Sequence, residues 1–430
     1  MKALLTILVI TCWIISGWGQ NYRFRSFSQA RQKSIKAYQA KKYRLFLVHA
    51  TEAFYLYPQS NSARFTLAKA YLLNGKNKQA MNILLILATV GYKEVISIKK
   101  QPIFASLERH PRYSELMRKI NLLKRQITHS QVAFRIPEKD LIPEGIAFDK
   151  KTKTFYIGSI EKQKIIQIDA KGQIRDFITS RQDGIKSVLG MEVDPVHRHL
   201  WVASYQHPHG ETSAIFKYNL NNGVLIKKYP FVSAKGKKQV PTLFNDLTLN
   251  ADGDVFTTNA NTKEVYWINH QTDRLKVLMR TNKNYIYPNG IALSDDGKYL
   301  FVVAGMDIEV NELATGKSWL LKHTPKISLE AIDGLSFYKN TLIAHQFNYP
   351  GESITQFKLD ASFRKVVAMR RLETQNPLID AATTGELAHD GYYYIANAQL
   401  SKYDQKNQLD KSKLKEVVIL KIKYQDLEWK

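Results

Sequence analysis

The chain has 430 residues, enough for two or three domains at roughly 150 residues each. Apolar residues make up 44% and charged residues 23%, ordinary globular usage that excludes a disordered, collagen-like or multi-span membrane chain. Lysine and arginine outnumber the acids 63 to 38, for a formal charge of +25, but the basic residues are scattered over turns and helix faces with no long run, so no nucleic-acid partner is expected.

The opening residues read as a secretory signal peptide over 1–19. Met1-Lys2 is a short positive start, Ala3 to Ile15 is apolar, and Ser16-Gly17-Trp18-Gly19 places small residues before a cut ahead of Gln20. Cys12, the single cysteine, lies in the apolar stretch behind Thr11, which argues against a lipid anchor. Cleavage leaves a cysteine-free chain, and no later window holds 18 consecutive apolar residues. The expectation is an exported protein without disulfides or a membrane span, periplasmic or extracellular at the surface of a Gram-negative bacterium.

Residues 20–125 are almost free of proline and glycine and carry apolar residues at helical spacing. Leu67, Ala70, Tyr71, Gly75, Ala80, Leu84 and Ala88, closed by Gly91, predict helix, short turn and helix. Ala37, Tyr38, Tyr43, Ala50, Ala53 and Pro58 read as the repeat before it. Small residues where helices cross, with a proline ending a pair, resemble tetratricopeptide repeats over roughly two units. Pro102-Ile103-Phe104 and Pro111-Arg112-Tyr113 are expected in one more helical pair that closes the stack. A packed cap on the following domain and a surface for a protein partner are equally open roles for this part.

Residues 126–137 are expected as a linker, because beyond Arg125 the texture changes to short β-rich runs between Gly, Asn and Asp turns. Over 138–430 six segments stack on one another: Pro143-Glu144-Gly145-Ile146, Val188-Leu189-Gly190-Met191, Phe244-Asn245-Asp246-Leu247, Pro288-Asn289-Gly290-Ile291, Ile332-Asp333-Gly334-Leu335 and Thr383-Thr384-Gly385-Glu386. Their second residues are 45, 56, 44, 44 and 51 positions apart, the period of a four-stranded propeller blade. The fold class is therefore mainly β, a six-bladed propeller behind a small α-helical domain.

In each unit a turn and a second apolar strand follow, and an antiparallel second strand ends on the face where the first began. The first-strand column reads Glu144, Leu189, Asn245, Asn289, Asp333 and Thr384. Any one of these polar residues is what a strand-start cap also looks like. Four in the same register around one channel point instead to a hard cation, which keeps a glutamate and an aspartate ionised side by side. The second-strand ends form another ring on that face: Ser159, Ser204, Asn259, Ala304, His345 and Asn397, with His207-Pro208-His209 and Gln399 just beyond. His345 is the expected proton shuttle, with a hydrogen-bonded strand-end histidine as the equally open alternative; Asn259 and Asn397 are expected along the substrate wall together with His207 and His209, a pair for which a solvated loop is the stronger reading. His197 and His199 fall in a turn on the opposite face and carry no expected chemistry. No Gly-rich phosphate loop and no Gly-x-Ser-x-Gly elbow occurs.

Pro143-Glu144-Gly145, Asn245-Asp246, Pro288-Asn289-Gly290-Ile291-Ala292-Leu293-Ser294-Asp295-Asp296-Gly297-Lys298 and Asp333-Gly334 resemble the metal-binding motifs of the senescence marker protein, regucalcin and gluconolactonase family, to which paraoxonases are related. The likeness covers about Ile136 to Tyr424. It implies metal ligation by Glu144, Asn289 and Asp333, with Asn245 either a fourth ligand or a substrate contact. The implied metal is a divalent cation, calcium first, with zinc and manganese as alternatives. The implied activity is hydrolysis of a small-molecule lactone or ester, with Asp333 or His345 activating water. One position departs from the family: Leu243 stands where its members carry a substrate-binding arginine, which argues against ordinary sugar-acid lactones and leaves open a non-catalytic scaffold with a structural cation.

Overall fold

A computed structural model of the protein describes residues 26–208, 212–232, 240–280 and 287–429; the expected signal peptide and His209 lie outside them. Among the described residues no helix is long and apolar enough to cross a membrane.

The N-terminal third is helical. Helix α1 spans residues 26–39, α2 Tyr43–Leu56, α3 Asn61–Leu72 and α4 Asn77–Val90. The expected helix, turn and helix over 67–88 is thus α3 and α4. Ser60 caps α3 by accepting from the Ala63 N–H at 3.3 Å, and α4 stops at Gly91, which is left-handed. Ala68, Ala70, Ala80 and Ala88 are buried where neighbouring helices cross, since only small side chains let backbones approach there. The expected further pair is one short 3₁₀ helix, Pro102–Leu107, and one α-helix, α5, Tyr113–Leu122.

The rest is a propeller of six sheets, each antiparallel and four-stranded except for one with a fifth strand. Blades 1 to 5 begin with the inner strands Pro143–Asp149, Ser187–Asp194, Phe244–Leu249, Pro288–Leu293 and Ile332–Tyr338. Each then runs outward in chain order. Blade 6 takes its inner three strands from Gly385–Leu387, Gly391–Ile395 and Val417–Lys423. Its outer strand is Ser130–Ile136, paired with Val417–Lys423. Ile127–Thr128 adds the fifth strand to blade 5. The stretch 126–137, expected as a linker, therefore carries two strands and closes the ring, removing the free edge an open propeller would leave.

The apolar core lies between blades; Phe301, Val303 and Ile308 of blade 4, for example, pack with Leu335, Phe337 and Leu342 of blade 5. The helical part is docked on the propeller through Tyr349, which joins the helical core, and through Arg371, which donates to the Val90 carbonyl at 2.8 Å.

Candidate functional site

The inner strands of blades 1 to 5 share one irregularity. Pro143 pairs with Ser159, Val188 with Ser204, Phe244 with Asn259, Pro288 with Ala304 and Ile332 with Gln346, and in all five the register then shifts before the fourth residue of the repeat. The bulge holds Glu144, Leu189, Asn245, Asn289 and Asp333. A bulge leaves its extra residue out of the ladder and re-aims its side chain. The third repeat position is squeezed against the next blade: a Cβ on Gly145 would collide with the Leu189 carbonyl, and one on Gly290 with the Asp333 carbonyl. Blade 3 departs from this, with Asp246 in the glycine's place.

As a result Glu144, Asn245, Asn289 and Asp333 do converge. With Asp246, Thr383 and Thr384 they surround a cavity of about 10 Å³, room for about one water-sized sphere. The Asn245 amide donates to Asn289 Oδ1 at 2.7 Å, and the Asn289 amide donates to Asp333 Oδ1. Glu144 Oε2 is buried with no hydrogen-bond partner. Burial, then the Asp333 and Asp246 carboxylates, push the Glu144 carboxyl well above its ordinary range, against the Thr383 hydroxyl. Burial raises Asp333 to about 7, opposed by the Asn289 amide, and raises Asp246 to about 7, opposed by the N–H groups of Leu247 and Ile291. Leu189 contributes only apolar packing.

Among the described residues no three His, Cys, Asp or Glu side chains gather closely enough to hold an ion. Any cation here depends on the two amides as well as the carboxylates. The donor set fits that: all oxygen, with one orphaned carboxylate oxygen and like charges raising one another's proton affinity.

The second ring bonds mainly to backbone, leaving the buried Asn259 Nδ2 without a partner. Ser159 Oγ donates to the Leu141 carbonyl, Ser204 Oγ accepts from the Lys186 N–H at 2.9 Å, and Asn259 Oδ1 accepts from the Leu243 N–H at 3.3 Å. Asn397 bridges the Glu416 carbonyl and the Val418 N–H, at 2.8 and 2.6 Å, inside blade 6. These side chains tie strand ends to neighbouring backbone, mostly the segment leading into the same blade. In blade 5 that role belongs to Gln346, whose amide donates to the carbonyls of Ser328 and Glu330 at 3.1 and 3.0 Å.

His345 is one residue off this register, and a one-residue step turns a strand side chain to the opposite face. Its ring is fully buried, with Nε2 2.9 Å from the Tyr392 hydroxyl and Nδ1 3.3 Å from the Ala382 carbonyl. Burial pushes its pKa down to about 3. The structure therefore does not bring His345 to the column, and both ring nitrogens are engaged elsewhere. His207 lies against the rings of Tyr205 and Tyr403 and lines neither channel cavity.

Two carboxylates besides Asp246 escaped the sequence reading. Glu192 and Glu386 line a deeper cavity of about 140 Å³ that shares Asp246 with the site above. Burial and then Asp246 raise Glu192 to about 8; burial and then Glu192 raise Glu386, with Lys150 opposing both. The signal was present for Glu192, at the fifth repeat position, where the other units read Ala147, Thr248, Ala292, Ser336 and Leu387.

No family model matches the chain, and no curated protein does. Solved structures similar to it include a gluconolactonase from Xanthomonas campestris, at 14% identity and TM-score 0.47, covering 69% of this chain and 96% of that one. A PQQ-bound aldose sugar dehydrogenase from Streptomyces coelicolor is 11% identical at TM-score 0.46, covering 68% and 97%. A virginiamycin B lyase from Staphylococcus aureus is 16% identical at TM-score 0.44, covering 67% and 87%.

Proposed function

We propose that the protein is a metal-dependent hydrolase that opens a lactone or ester at the mouth of the propeller channel. The observation that carries this reading is the buried, unpartnered Glu144 Oε2 facing a space bounded by Asn245, Asn289 and Asp333. Glu144 and Asp333 would supply the charge that holds a divalent cation, calcium first and zinc or manganese as alternatives, and the two asparagines would supply neutral oxygens. When bound, such a cation supplies Lewis-acid polarisation of a carbonyl. Asn289 orients Asp333 through one carboxylate oxygen and leaves the other to accept a proton from the attacking water. His345 has no part in the step. Export to the periplasm or cell surface, carried by the apolar run Ala3–Ile15, belongs to the same proposal.

The test is hydrolysis of a lactone and aryl-ester panel by the mature chain with each metal and with chelator. Metal-dependent turnover that Asp333→Asn abolishes supports the reading; no turnover on any member under any metal sinks it.

A second reading, a non-catalytic scaffold, is favoured by Ile35, Tyr38, Leu45, Val48 and Tyr55, apolar residues of α1 and α2 that remain exposed and would suit a protein partner. In a scaffold Asp333→Asn would lower thermal stability alone.

A further inference from the structure

The helical part and the propeller border an open cavity of about 310 Å³. Asn289, Val303 and Ile332 wall it from blades 4 and 5, and Phe27, Arg31 and Ser60 from the helical side. Asn289 also lines the small cavity among the column residues, so the two spaces share a wall.

The charges in the larger cavity are unequal in their partners. The Glu330 carboxylate accepts twice from the Asn61 N–H and has the Arg64 guanidinium nearby. Arg31, exposed on α1, has its guanidinium 5.7 Å from the centroid of the Phe27 ring, and no carboxylate among the described residues pairs with it. Among the described residues the cavity thus presents an apolar side formed by Phe27, Val303, Met306 and Ile332, one cation, Arg31, without a carboxylate partner, and a polar exit at Asn289. An anion with an apolar body satisfies all three, because a guanidinium binds a carboxylate through paired, charge-assisted hydrogen bonds.

We propose that this cavity is a subsite for a carboxylate borne on an apolar chain or ring, with Arg31 as the residue that selects the anion. Resting on the hydrolase reading above, this assigns the substrate class: an ester or lactone with a free carboxylate remote from the reacting carbonyl. The helical part then contributes to specificity and is more than a cover.

Two measurements test the proposal separately from turnover. Titration calorimetry compares phenylbutyrate with uncharged phenylbutanamide on the full chain and on Arg31→Ala and Arg31→Lys, whose melting curves establish that they fold. The expected result is an acid bound about tenfold more tightly than the amide by the wild type, a preference erased in Arg31→Ala and partly kept in Arg31→Lys. Equal binding of acid and amide, binding of neither, or a preference that survives Arg31→Ala overturns the subsite. For aryl esters with and without a terminal carboxylate, Arg31→Ala should raise KM for the charged member alone and leave kcat unchanged; a KM that rises equally for both members overturns Arg31 as the selector. If no ester is turned over but the acid still binds through Arg31, the hydrolase reading fails and the carboxylate subsite stands.

Discussion

The backbone N–H of Asn61, the first residue of α3, donates to both carboxylate oxygens of Glu330, at 3.0 and 3.1 Å, across the boundary between the helical part and the propeller. A carboxylate from one domain thereby completes the N-terminus of a helix in the other, where the helix dipole and unsatisfied N–H groups favour negative charge. The Asn61 side chain adds a bond to Ser328 Oγ at 2.8 Å. Docking is therefore polar as well as apolar. Glu330→Ala should leave the Asn61 N–H buried and unpaired and cost about 1–3 kcal/mol, whereas Glu330→Gln keeps an acceptor and should cost less. Denaturant melts of the two variants check the order.

The same carboxyl predicts a pH dependence. Burial raises Glu330 from an ordinary glutamate value to about 7 despite the Asn61 N–H. The folded state then binds the proton more tightly than the unfolded one. Its contribution to stability is complete below about pH 4.5 and is lost as pH rises towards 7. Between those values the wild type should lose up to about 3 kcal/mol more than Glu330→Gln does. Parallel stability curves for the two proteins would refute this assignment.

Removing the charge of Glu144 should weaken cation binding far more than trimming Thr384, because affinity in an oxygen site follows ligand charge. Wild-type melting temperature should climb as calcium is added and fall back with chelator, by linkage between binding and folding. Calorimetry on Glu144→Gln and Thr384→Ala checks it; identical metal responses in all three proteins would reduce the column to strand caps.

Gly290→Ala should be strongly destabilising, by about 2 kcal/mol or more, since its new methyl would meet the backbone of Asp333, which cannot swing aside. Gly316→Ala is the control for a glycine in open space: a Cβ there meets nothing, and its cost should come from its φ of +66° alone. Urea midpoints for the two variants, with metal titrations on Gly290→Ala, would show whether the bulge and the column stand together.

His345→Phe should lose about 1–3 kcal/mol of stability, because the Tyr392 hydroxyl loses its imidazole partner, while any turnover the wild type has persists. A total loss of activity in a folded His345→Phe would restore the histidine as a catalytic group.

By itself the sequence determined the six repeats, the helical first third and the four polar residues of the column. These are local features: turn residues, two-residue alternation and a recurring Gly position are written in consecutive residues, and a blade is one such unit. It also showed Asp246 beside Asn245, though not that a carboxylate at a glycine position must project between site and deeper channel. Tertiary structure alone decided the rest. Whether His345 or Gln346 meets the first strand depends on a pairing register, and a slip of one residue reverses every side chain. Ser130–Ile136 looks like a linker because its partner, Val417–Lys423, lies almost 300 residues away, and no local pattern encodes a pairing at that distance. The seating of α3 and α4 on the propeller is decided the same way, by Glu330 meeting Asn61 and Arg371 meeting Val90, contacts between residues the chain brings together only once it has folded.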